Sequence, residues 1–153
     1  MFGKELCHMK ISTKGRYALR MLLELALHQE DGFIALKDIA ERQSISKKYL
    51  EQIVPLLSRA GLLKTNRGYQ GGYMLAKSPD AYTVGEILRV TEGNLAPIPC
   101  LEHPENACAR AEQCMTLYVW EGLYKTINEY VDGITLQDII DHNTELHGND
   151  YCI

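Results

Sequence analysis

Three cysteines, Cys100, Cys108 and Cys114, lie close together in one segment of this 153-residue chain. Thiolates are the ligands that iron in clusters and zinc prefer, so the group could form a metal centre. Structural zinc sites usually have cysteine pairs two to four residues apart and a fourth ligand, whereas these spacings are wider. The residues alone therefore leave three interpretations open: a metal centre, redox-sensing thiols or inert thiols.

The other two cysteines, Cys7 and Cys152, lie near the two ends of the sequence. Five is an odd number, and in a reducing compartment thiols are metal ligands or buried groups more often than a disulfide framework. We interpret Cys7 and Cys152 as inert, exposed thiols.

A second group of residues has the chemistry to bind nucleic acid. Lys47 and Lys48 can contact phosphate or guanine. Glu51 can accept a hydrogen bond from cytosine, and Gln52 can pair with adenine. Further along, Arg67 is followed by a glycine and can enter a minor groove without steric obstruction. The alternative for each single residue is an ordinary surface charge.

The charge of the chain is divided between its halves. Residues 1–79 contain 13 basic and 7 acidic side chains, a net charge of +6, and residues 80–153 contain 3 and 13, a net charge of −10. This asymmetry indicates a basic module that faces a polyanion and an acidic module that faces elsewhere.

The elements that must position the basic residues are predicted from hydrophobic periodicity and capping signals. We expect helices over 12–29, with Ser12 or Thr13 as the cap, and over 36–42. After a break at 43–45, Ser46 caps a third helix, with Ile45 and Leu50 as a hydrophobic staple. Pro55 should kink or break this helix, which then runs through about Val54 with a bent continuation to Ala60. Two short strands, 62–65 and 73–76, predict a β-hairpin with a long tip, the shape of a wing.

The C-terminal half predicts a helix, a loop and two further helices. Thr83 and Glu86 open a helix that ends at Glu92, and residues 94–114 have little periodicity and form a loop. The helix over 116–131 has apolar residues at alternating spacings of three and four, which is typical of a helix–helix seam. These are Leu117, Trp120, Leu123, Tyr124, Ile127 and Val131. Thr135 and Asp138 start a short final helix.

The predicted fold is therefore mainly α with a small β-hairpin: a winged helix-turn-helix followed by a long C-terminal dimerisation helix. We divide the chain into an N-terminal extension (1–11), a DNA-binding domain (12–80), a linker helix with the cysteine loop (81–115), the dimerisation and short final helices (116–141) and a flexible tail (142–153). No apolar run is long enough to span a membrane, and the N-terminus has no signal-peptide pattern, which predicts a cytoplasmic protein without a membrane partner.

Four stretches of the sequence resemble the winged-helix regulator family typified by the iron–sulfur cluster regulator IscR. They are MKISTKGRYAL (9–19), SKKYLEQIV (46–54), GLLKTNRGYQGGYML (61–75) and TVGEIL (83–88). The resemblance extends from residue 9 to about residue 141. The elements YLEQ and RGxxGGY are specific to the family.

The resemblance implies a homodimeric transcription regulator whose recognition helices read the two half-sites of a palindromic operator in double-stranded DNA. By position, Lys48, Glu51 and Gln52 fall on base-reading positions, and Arg67 falls on the wing arginine. The first helix would contribute phosphate contacts. The expected DNA-binding residues are Lys14, Arg16, Tyr17, Ser46, Lys48, Tyr49, Glu51, Gln52 and Arg67.

The resemblance also implies that Cys100, Cys108 and Cys114 ligate an iron–sulfur cluster near the dimer interface, with [2Fe–2S] favoured over [4Fe–4S]. The type member supplies a histidine three residues after the third cysteine, where this chain has Leu117. The fourth ligand must then come from elsewhere. The candidates are His103, Glu105, Glu121 or a residue of the partner chain, of which we favour His103 or Glu121.

Alternatives to a cluster-dependent repressor remain. Relatives without the loop cysteines regulate cysteine metabolism through a partner protein, and both ends of this sequence resemble that branch. A cluster-bearing electron-transfer protein and a zinc-stabilised interaction module belong to other classes. The sequence has no Gly-rich nucleotide loop, no His/carboxylate motif and no paired catalytic carboxylates, which predicts neither an enzyme nor a small-molecule substrate.

Overall fold

The computed structural model describes residues 10–148, which form six α-helices and one two-stranded antiparallel sheet. The helices are α1 (Thr13–Leu27), α2 (Leu36–Gln43), α3 (Lys47–Arg59), α4 (Val84–Glu92), α5 (Leu117–Asp132) and α6 (Leu136–Gly148), and the strands are β1 (Leu63–Asn66) and β2 (Gly72–Leu75). This order confirms a mainly α fold with a winged helix-turn-helix. Cys7, Cys152 and most of the expected N-terminal extension lie outside the described residues.

Helix α1 is the centre of the core, where it contacts α2, α3, α4, α6 and β2. Its apolar residues recur every three or four positions, so that one side of the helix is continuously buried. Ala18, Met21, Leu22 and Leu25 are at most 2% exposed. Burying a large apolar side chain of this kind contributes about 1.5–3 kcal/mol. The whole winged helix-turn-helix, which we call the head, is therefore assembled around α1.

The amino end of α1 is capped differently from the prediction. Ser12 occupies the N-cap position, but its side chain accepts no hydrogen bond from the helix. Its hydroxyl instead donates to Glu92 at the end of α4, and the same carboxylate oxygen accepts from the Gly15 amide. A residue distant in sequence thus supplies the cap that a local signal had assigned to Ser12 or Thr13.

The turn between α2 and α3 has the predicted local chemistry. Ser44 ends α2 in the left-handed region with φ 53°. The Ser46 hydroxyl oxygen accepts a hydrogen bond from the Tyr49 amide at 3.1 Å, which confirms the cap. Ile45 and Leu50 are both buried, as the predicted staple requires. These contacts fix the direction in which α3 leaves the turn.

Pro55 does not break α3, which was predicted to run through about Val54 and to continue, bent, to Ala60. The helix is continuous from Lys47 to Arg59 with Pro55 inside it. A proline removes the hydrogen bond to the carbonyl group four positions earlier, here that of Glu51, and its ring crowds that carbonyl group. Both Pro55 and Glu51 are exposed, so water can satisfy the free carbonyl group.

The wing is a short hairpin that is tied to the rest of the head at its base. Strands β1 and β2 pair with Leu63 opposite Leu75, and Ile34 adds a bridge to Tyr73. Two strands of four residues are marginal alone, so contacts outside the hairpin must stabilise it. The fully buried Tyr82 provides them: its hydroxyl group donates to the Leu62 carbonyl at 2.8 Å and accepts from two amides of the segment that leaves β2.

An ion pair joins α4 to α5. The guanidinium of Arg89 donates to both carboxylate oxygens of Asp132, at 2.6 and 2.9 Å, and also to Asn128. The hydrogen bond raises the pKa of Arg89 and lowers the pKa of Asp132. A side chain at Gly85 would overlap Asp132. The pair therefore sets the direction in which α5 leaves the head.

Helix α6 is longer than the predicted short final helix. The Thr135 amide donates to Asp138 at 2.8 Å and the Asp138 amide donates to the Thr135 hydroxyl at 3.1 Å, which confirms this start. The helix then continues to Gly148, so residues 142–148 are helical rather than a loose tail. Within 10–148, no helix combines the length and apolar character that crossing a bilayer requires.

Candidate nucleic-acid interface and cysteine loop

The amino end of α3 presents polar side chains to solvent. Lys48, Glu51 and Gln52 are exposed, and Ser46 caps the helix beneath them. Lys47 lies 3.7 Å from the Glu51 carboxylate, an exposed pair one helical turn apart. Because such a pair is weak in water, the Glu51 carboxylate remains free to accept a hydrogen bond from an external donor.

A cluster around one buried carboxylate holds α1 and α2 at a fixed angle to each other. Glu24 is 5% exposed, and its carboxylate accepts from Arg42 at 3.2 Å and from the Gln43 side-chain amide at 2.7 Å. His28 is half-buried and lies 3.1 Å from the same carboxylate. A buried charge is stable only with such partners, so the cluster locks α2 onto α1.

Tyr17 and Tyr49 contact each other rather than standing free on the surface. Their rings meet edge to face, with centroids 5.2 Å apart, and both residues are half-buried. Arg20 lies 5.4 Å from the centre of the Tyr17 ring. The expected DNA-binding tyrosines therefore hold α1 against α3. Lys14, one turn before Tyr17, and the exposed Arg16 lie on the neighbouring stretch of α1.

An open groove of about 730 Å³ separates α3 from the wing. Three cationic residues line it: Lys47 from α3, Arg67 from the wing and Lys37 from the first turn of α2. Lys37 was missed by the sequence reasoning. The sequence could have indicated it, because Lys37 lies in the first turn of the helix before the recognition helix. In helix-turn-helix proteins that helix crosses the DNA backbone.

The tip of the wing projects into solvent. Arg67 is exposed, and Gly68 adopts a φ of 127°, which side chains rarely tolerate. The Gly71 amide donates to the Gly68 carbonyl at 2.9 Å and closes the turn. Tyr69, between these glycines, is fully exposed. The turn thus presents Arg67 and Tyr69 beside the groove.

The cysteine loop runs from the end of α4 to the start of α5, with short 3-10 turns at Pro99–Leu101 and Ala111–Gln113. All three of its cysteines are free thiols; Cys100 is half-buried, and Cys108 and Cys114 are exposed. The hydrogen bond with the Thr116 hydroxyl, 3.4 Å away, followed by that from the Thr116 amide, lowers the pKa of the Cys114 thiol. Thiolate character is what metal ligation requires.

The donor set fits an iron–sulfur cluster in its chemistry but not in its present arrangement. Three thiols on one loop are the usual ligand type. However, the described residues include no group of three His, Cys, Asp or Glu side chains placed to hold a metal ion. The expected fourth ligands His103, Glu105 and Glu121 are all exposed.

Glu102 provides a further possible oxygen ligand in this loop, which the sequence analysis did not identify. Its Oε1 atom is buried and, within residues 10–148, has no hydrogen-bond partner. An unpaired buried carboxylate oxygen is costly, so a cation or a donor at this position would stabilise the loop.

Helix α5 contains no buried residue in the single chain. Of the predicted seam, Trp120, Tyr124 and Ile127 are half-buried and only Leu123 is exposed. Leu123 shares an outer apolar stripe with the exposed Val119 and Tyr130, so the free apolar face is rotated from the predicted one.

Comparison with known proteins agrees with this architecture. The family model named Rrf2, described as an iron-dependent transcriptional regulator, matches residues 11–142. The chain is 43% identical over 131 residues to the HTH-type transcriptional regulator CymR of Bacillus subtilis, covering 86% of this chain and 89% of CymR. It is 38% identical over 135 residues to the regulator IscR of Aliivibrio salmonicida, covering 88% and 79%.

Two solved structures are similarly close. IscR from T. potens is 40% identical, with a TM-score of 0.71 and 90% of each chain covered. CymR, the global cysteine regulator of B. subtilis, is 39% identical, with a TM-score of 0.71, covering 87% of this chain and 97% of CymR. These relatives are transcriptional regulators and not enzymes. By family model, sequence identity and fold, the chain belongs to the Rrf2 family of transcriptional regulators.

Proposed function

We propose that this regulator is a cytoplasmic homodimer that binds a palindromic operator in double-stranded DNA and represses transcription. The observation that carries the proposal is the exposed set at the amino end of α3, which lies beside a wing and a groove lined by cations. Recognition helices of this class enter the major groove with their first residues at the base edges.

Within this proposal the side chains have separate tasks. Lys48, Glu51 and Gln52 read base edges, since each offers a donor or acceptor that differs between base pairs. Lys14 and Arg16 contact phosphates, which sets affinity rather than sequence preference. Arg67 enters the minor groove from the wing tip, where the narrow groove attracts cations. Tyr17 and Tyr49 position the two helices through their mutual contact.

We propose that the outer stripe of α5 forms the two-fold interface. A 16-residue helix without a buried residue leaves apolar surface that water would otherwise cover. An isologous contact through one helix would place the two recognition helices on successive major grooves, about one turn of DNA apart.

We further propose that Cys100, Cys108 and Cys114 hold an iron–sulfur cluster, [2Fe–2S] rather than [4Fe–4S], with one non-cysteine ligand. Support comes from three free thiols on one loop, the lowered pKa of Cys114 and similarity to proteins named IscR. The loop must close to bring the thiols together, with His103 or Glu121 as the preferred fourth ligand. When bound, the cluster would supply sensitivity to iron and oxidants.

A cluster-free regulator of cysteine metabolism controlled by a partner protein is the second candidate. Two observations favour it: the described thiols do not converge on a metal position, and the identity to CymR reaches 43%. In that case Cys108 and Cys114 would act only as exposed thiols.

Anaerobic purification followed by DNA selection with cluster-loaded and cluster-free protein separates these candidates. We expect visible absorbance that disappears in each of Cys100→Ala, Cys108→Ala and Cys114→Ala, whereas Cys7→Ala and Cys152→Ala retain it. A reporter driven by the selected operator should be repressed. Absence of a cluster after anaerobic reconstitution would favour the second candidate, and loss of operator binding on deleting 12–79 is expected under both.

A further inference from the structure

One carboxylate oxygen, Oε1 of Glu92, accepts three hydrogen bonds from the amino end of α1. The donors are the Ser12 amide at 3.1 Å, the Ser12 hydroxyl at 2.7 Å and the Gly15 amide at 3.1 Å. The first amides of a helix have no partner within the helix, and a negative charge there is stabilised by the helix dipole. Glu92 therefore caps α1 from another helix.

Gly15 gives independent support for this contact. It is a buried helical residue without a positive φ, so the backbone conformation does not require glycine. A Cβ at this position would overlap Oε1 of Glu92 and lie 3.2 Å from a methyl carbon of Leu88. The absence of a side chain at Gly15 thus makes room for α4, and for the Glu92 carboxylate in particular.

The contact joins two parts of the molecule with different tasks. Glu92 is the last residue of α4, and Gly93, with a φ of 90°, turns the chain into the segment that leads to Cys100. On the other side, Lys14 and Arg16 flank Gly15 directly. One side chain therefore connects the start of the cysteine loop to the phosphate-facing end of α1.

We propose that Glu92 is a positioning residue for DNA binding, which holds Lys14 and Arg16 against the phosphate backbone and ties their position to the start of the cysteine loop. This inference rests on the proposed DNA-binding function. Without the carboxylate, the first turn of α1 has unpaired amides and frays. The base-reading residues lie on α3, so sequence preference should not change.

The test is operator affinity measured as a function of salt concentration. Each phosphate contact contributes about 0.9 to the slope of log affinity against log salt. We expect Glu92→Ala to reduce operator affinity about tenfold or more. It should also lower the salt slope by the contribution of one or two phosphate contacts, about 0.9 each. The preference for operator over scrambled DNA should stay as in the wild type. Gly15→Ala should reproduce these changes, and the double variant should be no worse than either single one.

Two variants separate positioning from a general loss of stability. Glu92→Gln keeps an oxygen acceptor and should restore most of the salt slope. Glu86→Ala, on the same helix, removes an ion pair with Lys77 at 3.0 Å but no hydrogen bond or ion pair with α1, and should keep the wild-type slope. All binding is measured at temperatures below the onset of thermal unfolding. If Glu92→Ala does not fold, Gly15→Ala is used in its place.

A wild-type salt slope in folded Glu92→Ala or Gly15→Ala would overturn the inference, as would a changed sequence preference. Failure of the wild-type protein to bind any operator would instead refute the proposed function. The two failures are thus distinguished by the wild-type measurement alone.

Discussion

Among the expected base-reading residues of α3, Gln52 is the one whose side chain is most available to distinguish base pairs. It is exposed, and in the described part of the chain its side chain makes no hydrogen bond, whereas Glu51 lies 3.7 Å from Lys47. We expect Gln52→Ala to relax sequence preference at one position of each half-site and to cost about 1–3 kcal/mol of specific binding. Competition binding against single-base operator variants measures this. Equal discrimination at every position would contradict the base-reading role.

Lys14 should behave in the opposite way because phosphates carry no sequence information. We expect Lys14→Ala to weaken binding to all sequences alike and to lower the salt slope by about one contact. Filter binding at several salt concentrations, with operator and scrambled DNA, checks both parts. Lys125→Ala, on α5 and exposed, is the matched control. A selective loss for the operator alone would assign Lys14 to base reading instead.

At the residue scale, the sequence predicted what depends on local spacing and missed what depends on distant contacts. The exposure of Lys48 and Gln52 follows from their positions on an amphipathic helix. The burial of Tyr17 against Tyr49 does not, because it requires the packing of α1 on α3. The cap from Glu92 joins residues 77 and 80 positions apart, and no local signal marks such a pair.

At the element scale, capping signals predicted helix starts well and interior signals predicted helix ends poorly. Ser46, Thr83 and Thr135 each cap the expected helix because a hydroxyl can bond to the third following amide. A break at Pro55 was one of the expected outcomes, and the polar end of α6 was expected to be loose, yet both segments are helical. Both lie on exposed surface, where water satisfies free carbonyl groups and polarity does not oppose helix formation. The arrangement of the cysteine loop has no periodic signal at all.

The ion pair between α4 and α5 should make stability depend on pH. Arg89 lowers the pKa of Asp132 in the folded state. The stabilisation that the Arg89–Asp132 pair contributes is therefore complete above the pKa of Asp132 in the unfolded chain, near 4. It is lost as the pH falls through the lower pKa of the folded state. Because Asp132 is 45% exposed, solvent screening limits the gain to less than about 1 kcal/mol.

We expect Asp132→Asn to lower the free energy of unfolding at pH 7 and to flatten its decline between about pH 5 and 3. Urea titrations across that range measure both effects. Arg89→Gln should give the same loss, and the double variant should add nothing to it. Asp138, whose pKa is lowered by hydrogen bonds from the Thr135 amide and hydroxyl, leaves a residual slope. An unchanged pH profile in Asp132→Asn would show that the pair is neutral.

At the scale of the whole molecule, the exposed stripe of α5 predicts the assembly. Leu123 is 41% exposed in the single chain, whereas Trp120 also packs within its own chain, so Leu123→Glu tests the interface without disturbing the head. We expect monomers by light scattering. Operator affinity should fall about 10²–10⁴-fold because two half-sites are no longer bound by one molecule. Lys125→Ala should remain dimeric, and a dimeric Leu123→Glu would move the interface elsewhere.

Under the proposed dimerisation through α5, the stability of the fold depends on the concentration of the protein in the cell, because no residue of α5 is buried in the single chain. A helix that is covered only by association is stabilised by mass action, so thermal stability should rise with chain concentration. Where dimers dissociate, their number varies with the square of the chain concentration. Operator occupancy would then respond more steeply than in proportion to synthesis, and modest dilution at cell division would release the operator before the regulator itself is lost.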